Sequence, residues 1–390
     1  MTTTLTNRHL AVIVFAQFAG TSLWFAGNAV LPDLMRTLPG LTGWITSAVQ
    51  IGFVGGTLLY ALLALPDRFP ATRVFVVSVG LAALVNVGWL LGPVRAETLL
   101  LSRFMTGFFL AGVYPVGMKI AADWFRPVLG RAMGFLVGAL VVGTAFPHLI
   151  RGLGTALPYR IIVLSVSGLA VFGGLLLAVF IPSKPVAKQP AGFQFSRVSD
   201  LFRLSDYRPA MLGYFGHMWE LYTLWAFMPM LIAGYSRQHP TAAINVSVWS
   251  FCAIAAGALG CVVGGFWALA SSSGRVARTF LLASGICIAL VPWLLPVPPR
   301  LFGLFLLAWG LTAAGDSPQF STMVASQAPL ANRGTVITLV VSIGFLLTVI
   351  SIQFMAWLVS HVGASVWLFY ALLPGPLLGV WASWSGRNRG

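Results

Sequence analysis

Four ionisable side chains lie deep inside long apolar runs of this sequence: Arg103, His217, Glu220 and Asp316. A charge at the centre of a bilayer costs about 2.5–3.5 kcal/mol on insertion scales, so a residue of this kind in a membrane span is a candidate for a solute or proton path. His217 lies three residues before Glu220 and shares one face of a helix with it. A carboxyl held between apolar surroundings and a nearby cation can take up and release a proton as its access to water changes. Arg103 is a candidate counter-charge. Asp316 opens Asp316-Ser317-Pro318-Gln319. Proline removes a backbone hydrogen bond and bends a helix, so freed carbonyls beside a carboxylate could coordinate a solute or cation; equally, Asp316 could cap broken backbone. The amides Gln17, Asn28 and Gln319 add hydrogen-bonding groups, and Trp24, Phe25, Trp219, Tyr222 and Trp225 add aromatic surface suited to an organic solute. Cation–π contact would favour a cationic one. Plainer readings stay open: an internal ion pair for the acids, and packing against lipid or neighbouring helices for the aromatics.

These residues have such chemistry only if the runs holding them span a membrane. The chain has 390 residues, 58% hydrophobic and 8% charged, with mean hydropathy +0.90. Soluble domains carry about 25% charged residues, so lipid must be the solvent. A helical span needs roughly 20 apolar residues. Apolar runs place helices at about 10–32, 43–65, 73–92, 98–121, 130–152 and 160–181, then 209–234, 244–269, 277–295, 300–324, 335–359 and 364–384. The first run, Ala11 to Leu31, is longer than a signal-peptide core and is expected to be a retained helix. An all-α membrane protein with twelve transmembrane helices follows. Its expected domains are a six-helix bundle over 1–181, a cytoplasmic linker over 182–208 with a short surface helix near 199–204, and a second six-helix bundle over 209–390.

The net charge of +15 is scattered through short loops, which argues for a topology signal and against a nucleic-acid partner. With both termini cytoplasmic, 16 of the 23 Lys and Arg residues fall on the cytoplasmic side, from Arg8, Arg68 and Arg73 through the linker to Arg387 and Arg389. Six (Arg36, Arg95, Arg151, Arg160, Arg237 and Arg300) fall outside, and Arg103 lies within a span. This bias suits an even helix count in a plasma (inner) membrane. Cys252, Cys261 and Cys287 lie in apolar runs without metal-ligand spacing, so no metal or cofactor is expected. There is no Gly-x-x-x-x-Gly-Lys-[Ser/Thr] run and no nucleophile–base signature, which argues against an ATPase or another enzyme. Asn245-Val246-Ser247 matches a glycosylation sequon but abuts a span and is read as chance.

The halves carry a weak internal repeat. Helix 4 has Tyr114-Pro115 in its second half and is followed by Arg126-Pro127-Val128-Leu129-Gly130-Arg131. Helix 10 has Ser317-Pro318, followed by Pro329-Leu330-Ala331-Asn332-Arg333-Gly334. Pro115 and Pro318 are candidate paired gating kinks. Such repeats are typical of secondary transporters, with the solute site at the repeat interface.

The loop between helices 2 and 3 reads Leu63-Ala64-Leu65-Pro66-Asp67-Arg68-Phe69-Pro70-Ala71-Thr72-Arg73. It resembles the Gly-x-x-x-Asp-Arg-x-Gly-Arg-Lys motif of the major facilitator superfamily at Asp67, Arg68 and Arg73, without its glycines. Helix 4 resembles that family's Arg-x-x-x-Gly motif at Arg103 and Gly107. The loop after helix 8 keeps Gly264 and Gly265 but lacks the acid. Helix 5, with Gly134, Gly138, Gly143 and Pro147, resembles the family's antiporter helix only loosely. The resemblance covers essentially the whole chain. It implies two pseudo-symmetric six-helix bundles around a central cavity lined by helices 1, 4, 7 and 10, with Asp67, Arg68 and Arg73 as a conformational latch. Family members specific for nitrate carry an arginine in helices 2 and 8, which this chain lacks. The expected function is secondary active transport of a small organic solute by alternating access, with proton coupling, in a monomer embedded in a lipid bilayer. Passive uniport in the same fold, or a receptor or assembly protein that moves nothing, are the alternatives.

Overall fold

The computed structural model describes residues 6–35, 37–38, 40–125, 129–154, 157–184, 207–327 and 333–385. The side chains of Arg36, Arg126, Lys188, Arg197, Arg203, Arg333, Arg387 and Arg389, together with Pro329, the body of the linker and the expected helix at 199–204, lie outside these residues. Among the described residues every regular element is helical. Ten stretches are long and apolar enough to cross a membrane by length and composition. They are Asn7–Leu34, Thr42–Leu62, Ala71–Leu91, Ala96–Trp124, Gly130–Gly152 and Tyr159–Phe180, then Val246–Ala270, Ser273–Leu294, Val336–Val362 and Val366–Ser383. The Thr42–Leu62 helix, at 21 residues, is about 31 Å long, which matches the hydrocarbon thickness. Two further long elements complete the twelve: Arg208–Gln238, and the pair Pro299–Gly315 and Ser317–Gln327. These two spans, 7 and 10 in chain order, are also those that contain His217, Glu220 and Asp316.

Contacts divide the chain into two compact units, Met1–Phe193 and Gln194–Gly390. In the first, span 2 packs along span 4, and spans 1 and 3 pack on span 6. In the second, span 8 packs along span 10, and span 7 packs on spans 11 and 12. Two close backbone contacts recur in both units. A Cβ on Gly107 would overlap the carbonyl of Val49, and one on Gly310 would overlap the carbonyl of Ala253. Gly56 meets the carbonyl of Phe108 in the same way, as Gly260 meets that of Leu311. Small residues let helix backbones touch where lipid leaves no hydrophobic force to press them together. The glycine of the Arg-x-x-x-Gly motif is therefore a packing residue, and the internal repeat extends to this crossing.

Among the described residues, four spans are interrupted. Span 1 breaks between Thr21 and Ala26, and span 4 between Leu110 and Tyr114. Span 10 breaks at Asp316, and span 12 opens as a 3-10 helix, Val366–Leu372, before turning α-helical at Pro374. Sequence analysis expected spans 1 and 12 to be continuous. In span 12, Pro374 starts the α-helix at a position where its missing N–H is no loss. Pro115 and Pro318 stand in the same way just inside the helices that follow their breaks, while Pro147 and Pro229 lie within continuous helices. Asn245 accepts a hydrogen bond from the Val248 amide and caps span 8, which is a structural use for that residue.

Gly310→Ala is expected to lower stability by about 1–3 kcal/mol through overpacking. Gly80→Ala, whose added methyl meets nothing within 4 Å, is expected to be neutral or stabilising. Thermal unfolding of the two variants in detergent measures both; equal stability would contradict the crossing as the tight point of the bundle.

Candidate functional site

In the first unit the central group is Arg103, 1% exposed. Its Nη1 donates to Asn86 Oδ1 at 2.5 Å, and its Nη2 donates to the carbonyls of Leu23 at 2.8 Å and Trp24 at 2.6 Å. Asn86 Nδ2 in turn donates to Ser167 Oγ at 3.0 Å. One guanidinium thereby joins spans 4, 3 and 1, with span 6 tied through Ser167. Leu23 and Trp24 sit in the break of span 1, just past the C-terminus of the Asn7–Thr21 helix, where the helix dipole favours a cation. Gly27 leaves the approach open: a Cβ there would lie 3.2 Å from Arg103 Nε. Span 1 breaks without a proline because Arg103 takes up the carbonyls that the break releases. Sequence analysis expected Arg103 to be a candidate counter-charge; the hydrogen bonds described for it lie within the first unit.

The other candidates of this unit serve different ends. Asn28 Nδ2 donates to Thr46 Oγ1 at 2.7 Å, joining spans 1 and 2. Trp24 packs on Phe53 with ring centroids 4.8 Å apart. Gln17 is fully buried. Its side-chain carbonyl lies where a side chain on Gly117 would stand, and neither amide atom has a hydrogen-bond partner among the described residues.

In the second unit two of the four ionisable residues meet, and a third, Glu220, is buried with partners of its own. His217 Nδ1 lies 2.9 Å from Asp316 Oδ1, with both side chains 1% exposed. The contact is close enough for an ion pair but lies off the line of a good hydrogen bond. Asp316 is the junction of span 10: its backbone carbonyl accepts from the amides of Gln319 and Phe320, each at 3.0 Å, and so starts the second half-helix. Cys261 of span 8 donates to the Ala314 carbonyl at 3.2 Å beside the same break. Glu220 is buried on span 7, where it accepts from the Ser284 hydroxyl and from Trp309 Nε1 at 3.4 Å. Both donors are neutral. Tyr214 and Phe320 flank the His217 ring. Tyr222 packs against Trp225 and Phe345, and Gln319 is buried.

At one end of the first unit Asp67 pairs with Lys119 at 3.1 Å, and Lys119 lies 4.0 Å from Asp123. This joins the loop after span 2 to the second half of span 4. The side chains of Asp67 and Lys119 are 45% and 36% exposed, so the pair is worth at most about 1 kcal/mol to stability. Arg68 and Arg73 form no ion pair among the described residues. Sequence reasoning missed Asn86, Ser167, Ser284 and Trp309, which hold the buried charges. The signal for Asn86 was present, an amide in the middle of an apolar run, and the hydroxyls of Ser167 and Ser284 gave a weaker one.

The chain is similar to known transporters in both sequence and fold. A family model described as the Major Facilitator Superfamily matches residues 10–352. The nucleoside transporter NupG superposes with a TM-score of 0.72 at 16% identity, covering 98% of each chain. The human organic anion transporter MFSD10 (TETRAN) superposes with a TM-score of 0.70 at 17% identity, covering 97% of this chain and 99% of that one. At such identities the structural likeness is one of fold alone, and the sequence match carries the assignment: this chain belongs to the Major Facilitator Superfamily, as a multi-pass membrane transporter and not an enzyme.

Proposed function

We propose that the protein is a secondary transporter that moves a small organic solute by alternating access and couples that movement to protons. The observation that carries this reading is the buried group Glu220, Asp316 and His217. Glu220 has neutral hydrogen-bond donors, and a second acid, Asp316, is buried in the same unit. Histidine is the cation-capable group beside Asp316, and its charge depends on a proton. A buried carboxylate without a matching positive charge is costly. Compensation must therefore be mobile, as a proton or as a cationic group of the solute. Arg103 differs in that two backbone carbonyls and the Asn86 amide accept from its terminal nitrogens.

In this reading Gln17, Asn28 and Gln319 offer hydrogen bonds to the solute, Trp24 and Tyr222 offer aromatic surface, and the breaks beside Pro115 and Pro318 are the gating kinks. Asp67, with Arg68 and Arg73 nearby, is the latch that steadies one conformation. A monomer in a plasma (inner) membrane with both termini cytoplasmic suits the charge bias of the loops.

Reconstitution in liposomes with an imposed pH gradient and a solute panel tests the proposal. Wild type should accumulate its solute when the gradient is present and lose that accumulation when the gradient is collapsed. Uptake indifferent to the gradient would favour passive uniport, and no flux of any solute would favour a receptor. In Glu220→Gln, gradient-driven accumulation should fall at least tenfold, while downhill exchange of solute survives. Transport by this variant with an intact pH dependence would remove Glu220 from the proton path. Arg103→Leu should cost about 1–3 kcal/mol of stability, since it leaves buried carbonyls and the Asn86 amide unpaired. Whatever transport survives in it should keep the wild-type pH profile; a shifted profile would put Arg103 in the proton path as well.

A further inference from the structure

We propose that the residues at the two ends of the linker, Lys184 and Tyr207, are positioning residues for the transport cycle, each capping the half-helix that follows a break in its own unit. The inference rests on the alternating-access reading above, in which the breaks of spans 4 and 10 move.

The C-terminal turn of a helix has four carbonyls without intrahelical donors, and a cation is favoured there. In the first unit the half-helix Tyr114–Trp124 follows the break of span 4. Lys184 Nζ donates to the carbonyl of Asp123 in its last turn. The same ammonium lies 4.3 Å from the centre of the Trp124 ring, a cation–π contact. Ser183, one residue earlier, shares a hydrogen bond of 2.5 Å with Thr72 at the start of span 3. Three contacts thus fix the start of the linker.

In the second unit the half-helix Ser317–Gln327 follows the break at Asp316. Tyr207, 2% exposed, stands immediately before span 7. Its hydroxyl donates to the carbonyl of Val324 at 3.4 Å. That bond is long, and burial of the ring is the firmer part of the anchor. Val324 belongs to the last four residues of its half-helix, as Asp123 does in the first unit. Each unit makes this contact by itself, yet the partners correspond: Tyr114-Pro115 opens one half-helix and Ser317-Pro318 opens the other.

The consequence is mechanical. When a break bends, the half-helix beyond it moves, and the carbonyls at its end carry Lys184 or Tyr207 with them. The two ends of the linker report on, and load, the two proline breaks. Sequence analysis counted the linker's basic residues among the topology charges; these contacts give its ends a specific task.

Hydrogen–deuterium exchange and transport, measured on the full-length protein in lipid nanodiscs and liposomes, test the inference. Lys184→Ala should raise amide exchange within 114–124 roughly fivefold, the scale of one lost hydrogen bond, and Lys184→Arg, which keeps both the donor and the cation over Trp124, should restore protection. Tyr207→Phe, which keeps the buried ring, should raise exchange within 317–327 by less. For the transported solute, Lys184→Ala should lower the maximal rate while leaving the half-saturating concentration and the melting temperature unchanged. Unaltered exchange within 114–124 in Lys184→Ala would overturn the inference. So would a loss of rate that merely follows the fraction of folded protein and is not rescued by Lys184→Arg. If the wild type carries no solute, the transport reading fails, and the exchange measurements alone judge the caps.

Discussion

A charged side chain inside an apolar helix bundle must find its partner within the bundle, because lipid supplies neither hydrogen bonds nor counter-ions. The two units of this protein meet that constraint differently. The first holds Arg103 against two carbonyls of a broken helix and an amide that is itself hydrogen-bonded. The partners of its two terminal nitrogens are fixed and polar, and its Nε has none among the described residues. The second buries two acids and a histidine. Its fixed donors to Glu220 are a hydroxyl and an indole N–H, and its one close charge partner is a histidine whose charge is conditional.

The scaffold beneath these groups repeats more closely than the groups do. Gly107 and Gly310 bring span 4 against span 2 and span 10 against span 8 at matching carbonyls, and Gly56 and Gly260 do the same one layer away. Contacts at that distance leave little room for sliding, since a single added methyl would overlap backbone. The helical pattern of spans 4 and 10 is interrupted elsewhere, between Leu110 and Tyr114 and at Asp316. The residue that meets His217 is thus also the residue at the break of span 10.

Much of this was legible in the sequence. Long apolar runs, prolines and loop charges marked the spans, and the rarity of charge within them singled out Arg103, His217, Glu220 and Asp316. What escaped was set by contacts between spans. The break in span 1 crosses Ser22-Leu23-Trp24-Phe25, which contains neither glycine nor proline; it depends on a guanidinium from span 4, about 80 positions away. Sequence shows that Arg103 and Glu220 are charged without showing which dipoles surround each. Asn86 and Ser284 read as minor polar residues until the helices placed them against those charges. The 3-10 opening of span 12 was hidden because Pro374 lies inside an otherwise apolar run.

The central claim is that the compensating charge of the second unit is mobile and moves with the solute. Its most direct test is to record internal pH and solute content together in liposomes that hold the wild-type protein, with solute supplied on one side and no pH gradient imposed. The account predicts that downhill solute flux drives a proportional proton flux, in a fixed ratio, and builds a pH difference across the membrane. Solute flux that reaches equilibrium with no accompanying change in internal pH would contradict it.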